Sequence, residues 1–445
     1  MSDIYEVFKQ NGPPNVTYVK RDGGRDEQRL SEALDRPGMI CLLTGISKTG
    51  KTTLRAKVAE LRQLESIVIR CEPAATPLDL WLRALESVNF ERVVERKRGN
   101  GRDTKIGGEV QAELGWRWLA KITPKLVANF SSTDSENETR AKILADPSPD
   151  HLLPVLKRLA VLLVFEDFHY LKPEVQADVS KQLKAFVDAE VSVIIVGTTH
   201  RAHDLLMANP DLSGRVSHIQ LENWSTADLQ KIVTQGFEYL RIDFPPAYAE
   251  LIADESVGLP IITQSVCLKL VVAQKRINGS LVPRNIQFTK QHVFDAFHEV
   301  VMETYHVEFS QMHDRWRRGT ADQLIQRPSY ELLLWVFVLD PIKFSLATIE
   351  LFKRLDQLTK KFPKFSPEIP SSQTLMGLLT TLEAFQMGLR RRPLLEWNSD
   401  HEQLYMLEPT FLFYLRWETV HDAVPTTHDI LAEVFHKLGT NRNFE

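Results

Sequence analysis

Gly45-Ile46-Ser47-Lys48-Thr49-Gly50-Lys51-Thr52 matches the spacing G-x-x-x-x-G-K-[ST] at every fixed position. These residue types suit one chemistry, the grip of a phosphate chain. Gly45 and Gly50 permit a tight turn that points backbone N–H groups inward at phosphate oxygens. Lys51 brings a positive charge to the β- and γ-phosphates, and the Thr52 hydroxyl can ligate Mg2+. Thr53 follows at the start of a helix, where aligned peptide dipoles favour an anion.

A second constellation lies downstream. Val161-Leu162-Leu163-Val164-Phe165 is an apolar run that ends in Glu166 and Asp167. Such a run reads as a buried strand whose carboxyl end delivers two acids to the phosphate crevice. Glu166 is placed to hold Mg2+, directly or through water, and Asp167 to orient or deprotonate an attacking water. The usual order is Asp then Glu. The reversed pair puts the shorter acid beside the water, and slow hydrolysis is the expectation. The next buried strand, Val191–Gly197, ends at Thr198-Thr199-His200-Arg201. Thr199 and Arg201 are candidates to sense the γ-phosphate; capping and surface charge are the competing roles. Arg215, in Gly214-Arg215-Val216 before the strand Ser217–Leu221, is either an arginine that reaches a neighbouring subunit's nucleotide or a surface residue.

The elements that must position these groups follow from periodicity. Met39–Leu43 reads as a strand entering the loop, and Thr53–Leu64 as the helix leaving it, with Leu54, Val58 and Leu61 on one side. Ser66–Arg70 reads as a strand and Pro77–Val88 as a helix. In the polar lead-in of residues 1–37, Tyr18–Arg21 reads as a short strand, followed by an amphipathic helix through Leu30 and Leu34. Residues 91–150 read as an insertion, with a β-hairpin or small meander in Thr104–Phe130 and a polar loop in Ser131–Arg140. It is either a solvated decoration or a contact surface.

Composition narrows the class. The 445 residues suffice for two or three domains, and 43% hydrophobic with 25% charged residues is ordinary for a globular chain. A formal net charge of -4 gives no global basic footprint for nucleic acid. The three cysteines, Cys41, Cys71 and Cys267, show no spacing for a disulfide framework or zinc. The histidines form no metal constellation. No apolar run is long enough to span a bilayer, and the amino terminus carries no apolar signal core. A soluble cytoplasmic protein is the expectation.

Gly45–Thr52, Phe165-Glu166-Asp167-Phe168-His169, Gly197–Arg201 and Gly214-Arg215, in this order, resemble the STAND-type P-loop ATPases of the AAA+ superfamily, close to the origin-recognition/initiator-like branch. Two features add to the resemblance. Trp224-Ser225 opens a lid-like helical run, and Gly258-Leu259-Pro260 looks like the G-x-P motif of STAND lids, which implies that Pro260 approaches the nucleotide. Residues 326–417 resemble the winged-helix module of the same proteins. Three helices (Tyr330–Val338, Leu346–Leu355 and one capped by Ser371 or Ser372) precede a hairpin of Leu394–Trp397 and Leu404–Leu407, and Pro409 starts a last helix.

The resemblance implies an α/β fold: a P-loop parallel-sheet core at 38–222 carrying the 91–150 insertion, a helical lid at 223–320, and a winged-helix domain with tail at 321–445. It implies ATP and Mg2+ as cofactors, slow hydrolysis, and an ATP state that forms a homo-oligomer or recruits a separate effector protein. A role in bacterial defence is suggested by resemblance only. The alternative is an initiator-like or transposition-regulator ATPase that binds duplex DNA, and a further rival is a nucleotide-binding scaffold without turnover. For DNA, Lys353, Arg354, Lys360, Lys361, Lys364 and Arg390-Arg391-Arg392 could meet phosphates. The third helix argues otherwise, since Ser372–Met387 has no Lys or Arg and offers only Gln373 and Gln386 for base reading.

Overall fold

The computed structural model describes residues 4–88, 116–122, 135–198, 212–278, 287–318, 329–339, 341–361, 371–388 and 393–418. In chain order the elements are α1 (Ile4–Val7), α2 (Arg25–Asp35), β1 (Ile40–Gly45), α3 (Lys51–Leu61), β2 (Ser66–Arg70), α4 (Pro77–Glu86), α5 (Trp116–Ile122), α6 (Glu136–Ala145), α7 (Pro149–Leu159), β3 (Leu162–Glu166), α8 (Pro173–Asp188), β4 (Val193–Gly197) and β5 (Val216–Leu221). Then come α9 (Thr226–Tyr239), α10 (Pro246–Glu255), α11 (Pro260–Asn278), α12 (Lys290–Val300), a π-helical turn (Val301–Tyr305), α13 (His306–Arg318), α14 (Ser329–Val338), β6 (Ser345–Ala347), α15 (Thr348–Lys361), α16 (Ser372–Gly388), β7 (Leu395–Asn398), β8 (Gln403–Met406) and α17 (Thr410–Glu418). The chain divides into two compact units. One comprises Met1–Arg21, Ile46–Thr49 and Glu222–Glu445, the other Asp22–Gly45 and Gly50–Leu221.

The second unit is built on a five-stranded sheet in the order β2-β3-β4-β1-β5, with every pairing parallel. This is the expected α/β parallel-sheet core. Side chains alternate across a strand, so the apolar runs of β1, β3 and β4 feed both faces at once. Ile40, Leu42, Leu163, Phe165, Val193 and Ile195 pack with α4, α7 and α8, whereas Cys41, Leu43, Val164, Ile194 and Val196 pack with α2 and α3. Parallel order puts the carboxyl ends of β1 and β3 on one edge, where Gly45 and Glu166 stand.

Three expectations fail here. Tyr18–Lys20 is not a strand, and Arg21–Gly24 is a 3-10 turn leading into α2. In the 91–150 block, the described part is helical. Trp116, Leu119 and Ala120 are buried at helical spacing in α5. α6 starts at Ser135 with a capping box to Glu138, where a loop was expected. The rest of Thr104–Phe130 lies outside the described residues.

The first unit has a large continuous apolar core, running from Ile4 and Phe8 through α9–α13 to Phe411–Trp417, and a small separate cluster of Val19, Leu229, Ile232 and Ala253. The lead-in through Arg21 belongs to this unit, and the rest of it to the other. The Phe8 ring lies directly on Gly236 of α9, where an added Cβ would stand only 2.2 Å from Phe8 Cε1. The elements α14, β6, α15, α16, β7 and β8 follow each other as three helices and a small antiparallel sheet in the order β6-β8-β7, with β7 and β8 paired as the expected hairpin.

Within the same core, Glu255 at the end of α10 faces α17. Its carboxylate lies 3.4 Å from Arg416 Nη2 and accepts from Trp417 Nε1 at 3.2 Å, with both ionic side chains 4% exposed. Breaking a buried ion pair costs about 3–5 kcal/mol, because a charge is left in a place that water cannot reach. Glu255→Leu is therefore expected to lower the stability of this unit by about that amount. Chemical denaturation checks it; a change within about 0.5 kcal/mol, as at an ordinary surface site, contradicts the tie between α10 and α17.

Candidate functional site

The sheet unit holds Lys51, Thr52, Glu166 and Asp167. Gly50 adopts φ 94 as it hands the loop to α3, a left-handed conformation that a side chain would strain. Lys51 Nζ donates to the Gly45 carbonyl at 2.9 Å, in a buried position. Burial brings its pKa down from 10.5 to about 8, while Asp167 and then Glu166 pull it back up. The ammonium therefore stands among carboxylates, at the end of β1, with a backbone carbonyl for its partner.

Glu166, 7% exposed, ends β3. One carboxylate oxygen accepts from Thr52 Oγ1 at 2.8 Å and the other from Arg55 Nε at 2.9 Å. The two residues assigned to the metal are thus in contact. A hydroxyl and a carboxylate are hard oxygen donors that suit Mg2+, which takes one or two carboxylates beside phosphates and water. Among the described residues no cluster of three or more His, Cys, Asp or Glu could hold a metal alone. When bound, Mg2+ would neutralise charge on the β- and γ-phosphate oxygens.

Asp167 turns away from the strand with φ 59 and ψ 35. Asp tolerates this left-handed conformation better than most residues. Here it aims the second acid independently of the first. Burial and the neighbouring Glu166 push its pKa up, against Lys51 and Arg70, which lower it. A part-buried carboxylate with a raised pKa fits a group that takes a proton from water.

The loop tip belongs to the first unit. Thr49 Oγ1 donates to the Ile46 carbonyl at 2.8 Å, and the Thr49 carbonyl accepts from Trp224 Nε1 at 2.9 Å. Beside Trp224 lies Gly258, at φ 73. It opens the turn into Pro260, the first residue of α11. The G-x-P turn and the loop tip are thereby linked through Trp224. Lys48, at φ 64, reaches Glu408 Oε1 at 3.5 Å and Thr410 Oγ1 at 3.5 Å. Its ammonium also sits 5.9 Å from the Tyr305 ring centre. Ser47 completes the tip, part-buried like Ile46.

Of the remaining nucleotide-site candidates, only Arg215 is described, and it stands apart from this cluster. Thr199 and Arg201 lie outside the described residues. Arg215 is exposed at the amino end of β5, whereas Gly45 and Glu166 stand at the carboxyl ends of β1 and β3, the other end of the parallel strands. Two candidates for DNA contact are spoken for. Arg354 is 3% exposed and donates to the carbonyls of Val336, Leu339 and Pro341 at 2.9, 2.8 and 2.6 Å. Gln386 is buried and bonded to the backbone of Leu394 and Leu395. Arg390–Arg392 and Lys364 lie outside the described residues. The cysteines are free and buried, and burial pushes Cys41 and Cys71 up to about 12, so neither is a reactive thiolate.

Sequence reasoning did not find Arg55 beside Glu166, nor Trp224, Glu408, Thr410 and Tyr305 beside the loop tip. Only Arg55 left a signal: it is a cation one turn after Thr52, between the apolar Leu54 and Val58.

A pH dependence follows from Lys51. Phosphate binding favours the ammonium, and the free protein loses that proton above about 8. Binding must then take up a proton, so affinity for ATP is expected to fall as pH rises from 8, by up to about tenfold per unit. Fluorescent-ATP titrations between pH 7 and 9.5 check this; a flat profile contradicts it.

No family model matches the chain, and no curated protein matches it. Solved structures of similar shape exist. The Walker-type ATPase PABY2304 of Pyrococcus abyssi is 14% identical, with 92% of this chain and 99% of that chain covered and a TM-score of 0.49. The ORC1 protein of Aeropyrum pernix, solved in complex with DNA, is 15% identical over 93% of this chain and 95% of that one, with a TM-score of 0.40. Cdc6p from Pyrobaculum aerophilum is 13% identical, covering 92% and 97%, with a TM-score of 0.41. At such identities and scores, the chain's own residues carry the functional reading.

Among the described residues no helix is long and apolar enough to cross a membrane.

Proposed function

We propose that this chain is an ATP-binding, slowly hydrolysing molecular switch of the STAND/AAA+ kind, whose ATP state assembles into a homo-oligomer or recruits a separate effector protein. Gly45–Thr53 would wrap the phosphates, Lys51 would hold their β- and γ-oxygens, Thr52 and Glu166 would take Mg2+, and Asp167 would prepare the water. Pro260 would close on the nucleotide from the lid. Arg215, at the amino end of β5, would serve a neighbouring subunit, and Thr199 and Arg201 would sense the γ-phosphate.

One observation carries the switch. The tip of a phosphate-binding loop is held by an acid: Lys48 meets Glu408, just before α17, at 3.5 Å. A polyphosphate and a carboxylate compete for the same lysine, so ATP and the Glu408 contact disfavour each other. Such a differential contact is what a ligand needs to shift a population. Glu408 leads into α17, whose Phe411, Tyr414 and Trp417 lie in the same continuous core as the lid helices, which supports reading lid and winged-helix module as a unit that moves together. The domain boundaries 38–222, 223–320 and 321–445 are proposed on that basis, with a cytoplasmic setting. The role in bacterial defence rests on resemblance alone.

The test is Glu408→Ala. A part-exposed pair is worth at most about 1 kcal/mol, so its loss should tighten ATP binding roughly two- to fivefold. Fluorescent-ATP titration measures it; unchanged or weaker affinity removes the competition. For the DNA-binding alternative, Arg354 and Gln386 are committed to backbone groups, whereas Lys353, Lys360 and Gln373 are exposed. The scaffold without turnover is separated by the hydrolysis measurements below.

A further inference from the structure

Arg55 is 8% exposed, and its partner Glu166 is 7% exposed. Their contact is short, Nε to Oε1 at 2.9 Å. Arg55 sits three residues after Thr52 on α3, so the guanidinium and the hydroxyl share one face of the helix. Together they give each carboxylate oxygen its own donor: Oε1 takes Arg55, and Oε2 takes Thr52 at 2.8 Å.

A buried ion pair of this kind contributes little net stability, because desolvating two charges offsets their attraction. Its value lies in geometry. A glutamate has a long, rotatable side chain and, left alone at a strand end, would populate several rotamers. A guanidinium that is always charged, and whose donors lie in a fixed plane, removes that freedom. With Oε1 committed to Arg55, the oxygen left for a metal ion is the one beside the Thr52 hydroxyl.

We propose that Arg55 is a positioning residue of this site: it fixes the Glu166 carboxylate so that Oε2 and the Thr52 hydroxyl converge on one Mg2+ position. The proposal rests on the ATP and Mg2+ reading above and adds the residue that sets the metal requirement.

The experiment titrates fluorescent-ATP binding against free Mg2+, and repeats it in EDTA, for the wild type, Arg55→Met, Arg55→Lys, Glu166→Gln and the Arg55→Met/Glu166→Gln pair. Circular dichroism melts accompany each variant. Groups that orient metal ligands typically change metal affinity about 10- to 100-fold, so Arg55→Met should raise the Mg2+ midpoint about tenfold or more. Affinity in EDTA should stay within about twofold, the size of an ordinary surface effect. Arg55→Lys, which keeps one charged donor, should recover most of the shift. In the Glu166→Gln background Arg55→Met should add nothing, since the two act through one contact.

An unchanged Mg2+ midpoint in folded Arg55→Met overturns the proposal. So does a lower midpoint, which is what removing a positive charge near the metal would give if Arg55 did not position Glu166. Additive shifts in the pair overturn it as well. Should Arg55→Met fail to fold, Arg55→Lys decides: a shortened, non-planar donor should still raise the midpoint about two- to tenfold, and no shift overturns the idea. Wild-type protein that binds no nucleotide sinks the ATP reading itself, a result distinct from normal wild-type binding with an indifferent Arg55.

Discussion

Replacing Lys51 by alanine is expected to abolish ATP binding. The ammonium is buried beside the Gly45 carbonyl at 2.9 Å, and no backbone N–H can supply its charge to the β- and γ-phosphates. Truncating one partner of a buried charged contact costs about 2–5 kcal/mol, roughly thirtyfold to several thousandfold in affinity. The loss should be one of binding and not of folding. Burial holds the folded-state pKa at about 8, below its ordinary 10.5. A depressed lysine pKa means that the ammonium is disfavoured in the folded chain; its burden is present below about 8 and is relieved as pH rises toward 10.5. Removing it therefore does not take away a stabilising charge. Fluorescent-ATP titration with a melting curve measures both, and unchanged affinity removes the phosphate-loop assignment.

Asp167→Asn should keep ATP binding and lower turnover about 10²- to 10⁴-fold, the usual contribution of a positioned general base. The amide keeps the shape and the left-handed turn, which Asn tolerates as Asp does, but it cannot accept a proton. Glu166→Gln should act differently. It weakens the contact with Arg55 and the metal side at Thr52, so its first effect is a higher Mg2+ requirement. Single-turnover hydrolysis separates the two. If Asp167→Asn hydrolyses ATP at the wild-type rate, the water belongs to Glu166 and the roles of the pair are exchanged.

Much of the sheet unit was legible in the sequence because local pattern and tertiary fate agree there. β1, β3 and β4 are continuous apolar runs since both sheet faces are covered, and the loop residues follow a spacing that only a strand-to-helix turn accommodates. Strand order was not legible, because it is set by which crossovers pack and not by any one segment. The contact of Thr52 with Glu166 spans 114 residues of sequence and follows from parallel order alone. The misread block is instructive. Short alternations in Thr104–Phe130 suggested strands, yet Trp116, Leu119 and Ala120 repeat at helical spacing. Ser135 and Glu138 form a capping box that polarity disguised as a loop. Arg354 and Gln386 looked like groups for phosphates and bases. Their fates, three backbone carbonyls and a strand backbone, are tertiary and leave no mark in spacing. The hold on Lys48 by Glu408 is likewise invisible until the chain folds.

Sedimentation velocity on the wild-type protein, with and without saturating ATP and Mg2+, tests the switch most directly, with Lys51→Ala as the control that cannot respond. The switch predicts one boundary at the mass of a single chain without nucleotide, and a shift to larger species or a changed frictional ratio with ATP, absent in Lys51→Ala. A boundary identical in mass and shape under both conditions, while titration shows ATP bound, contradicts it.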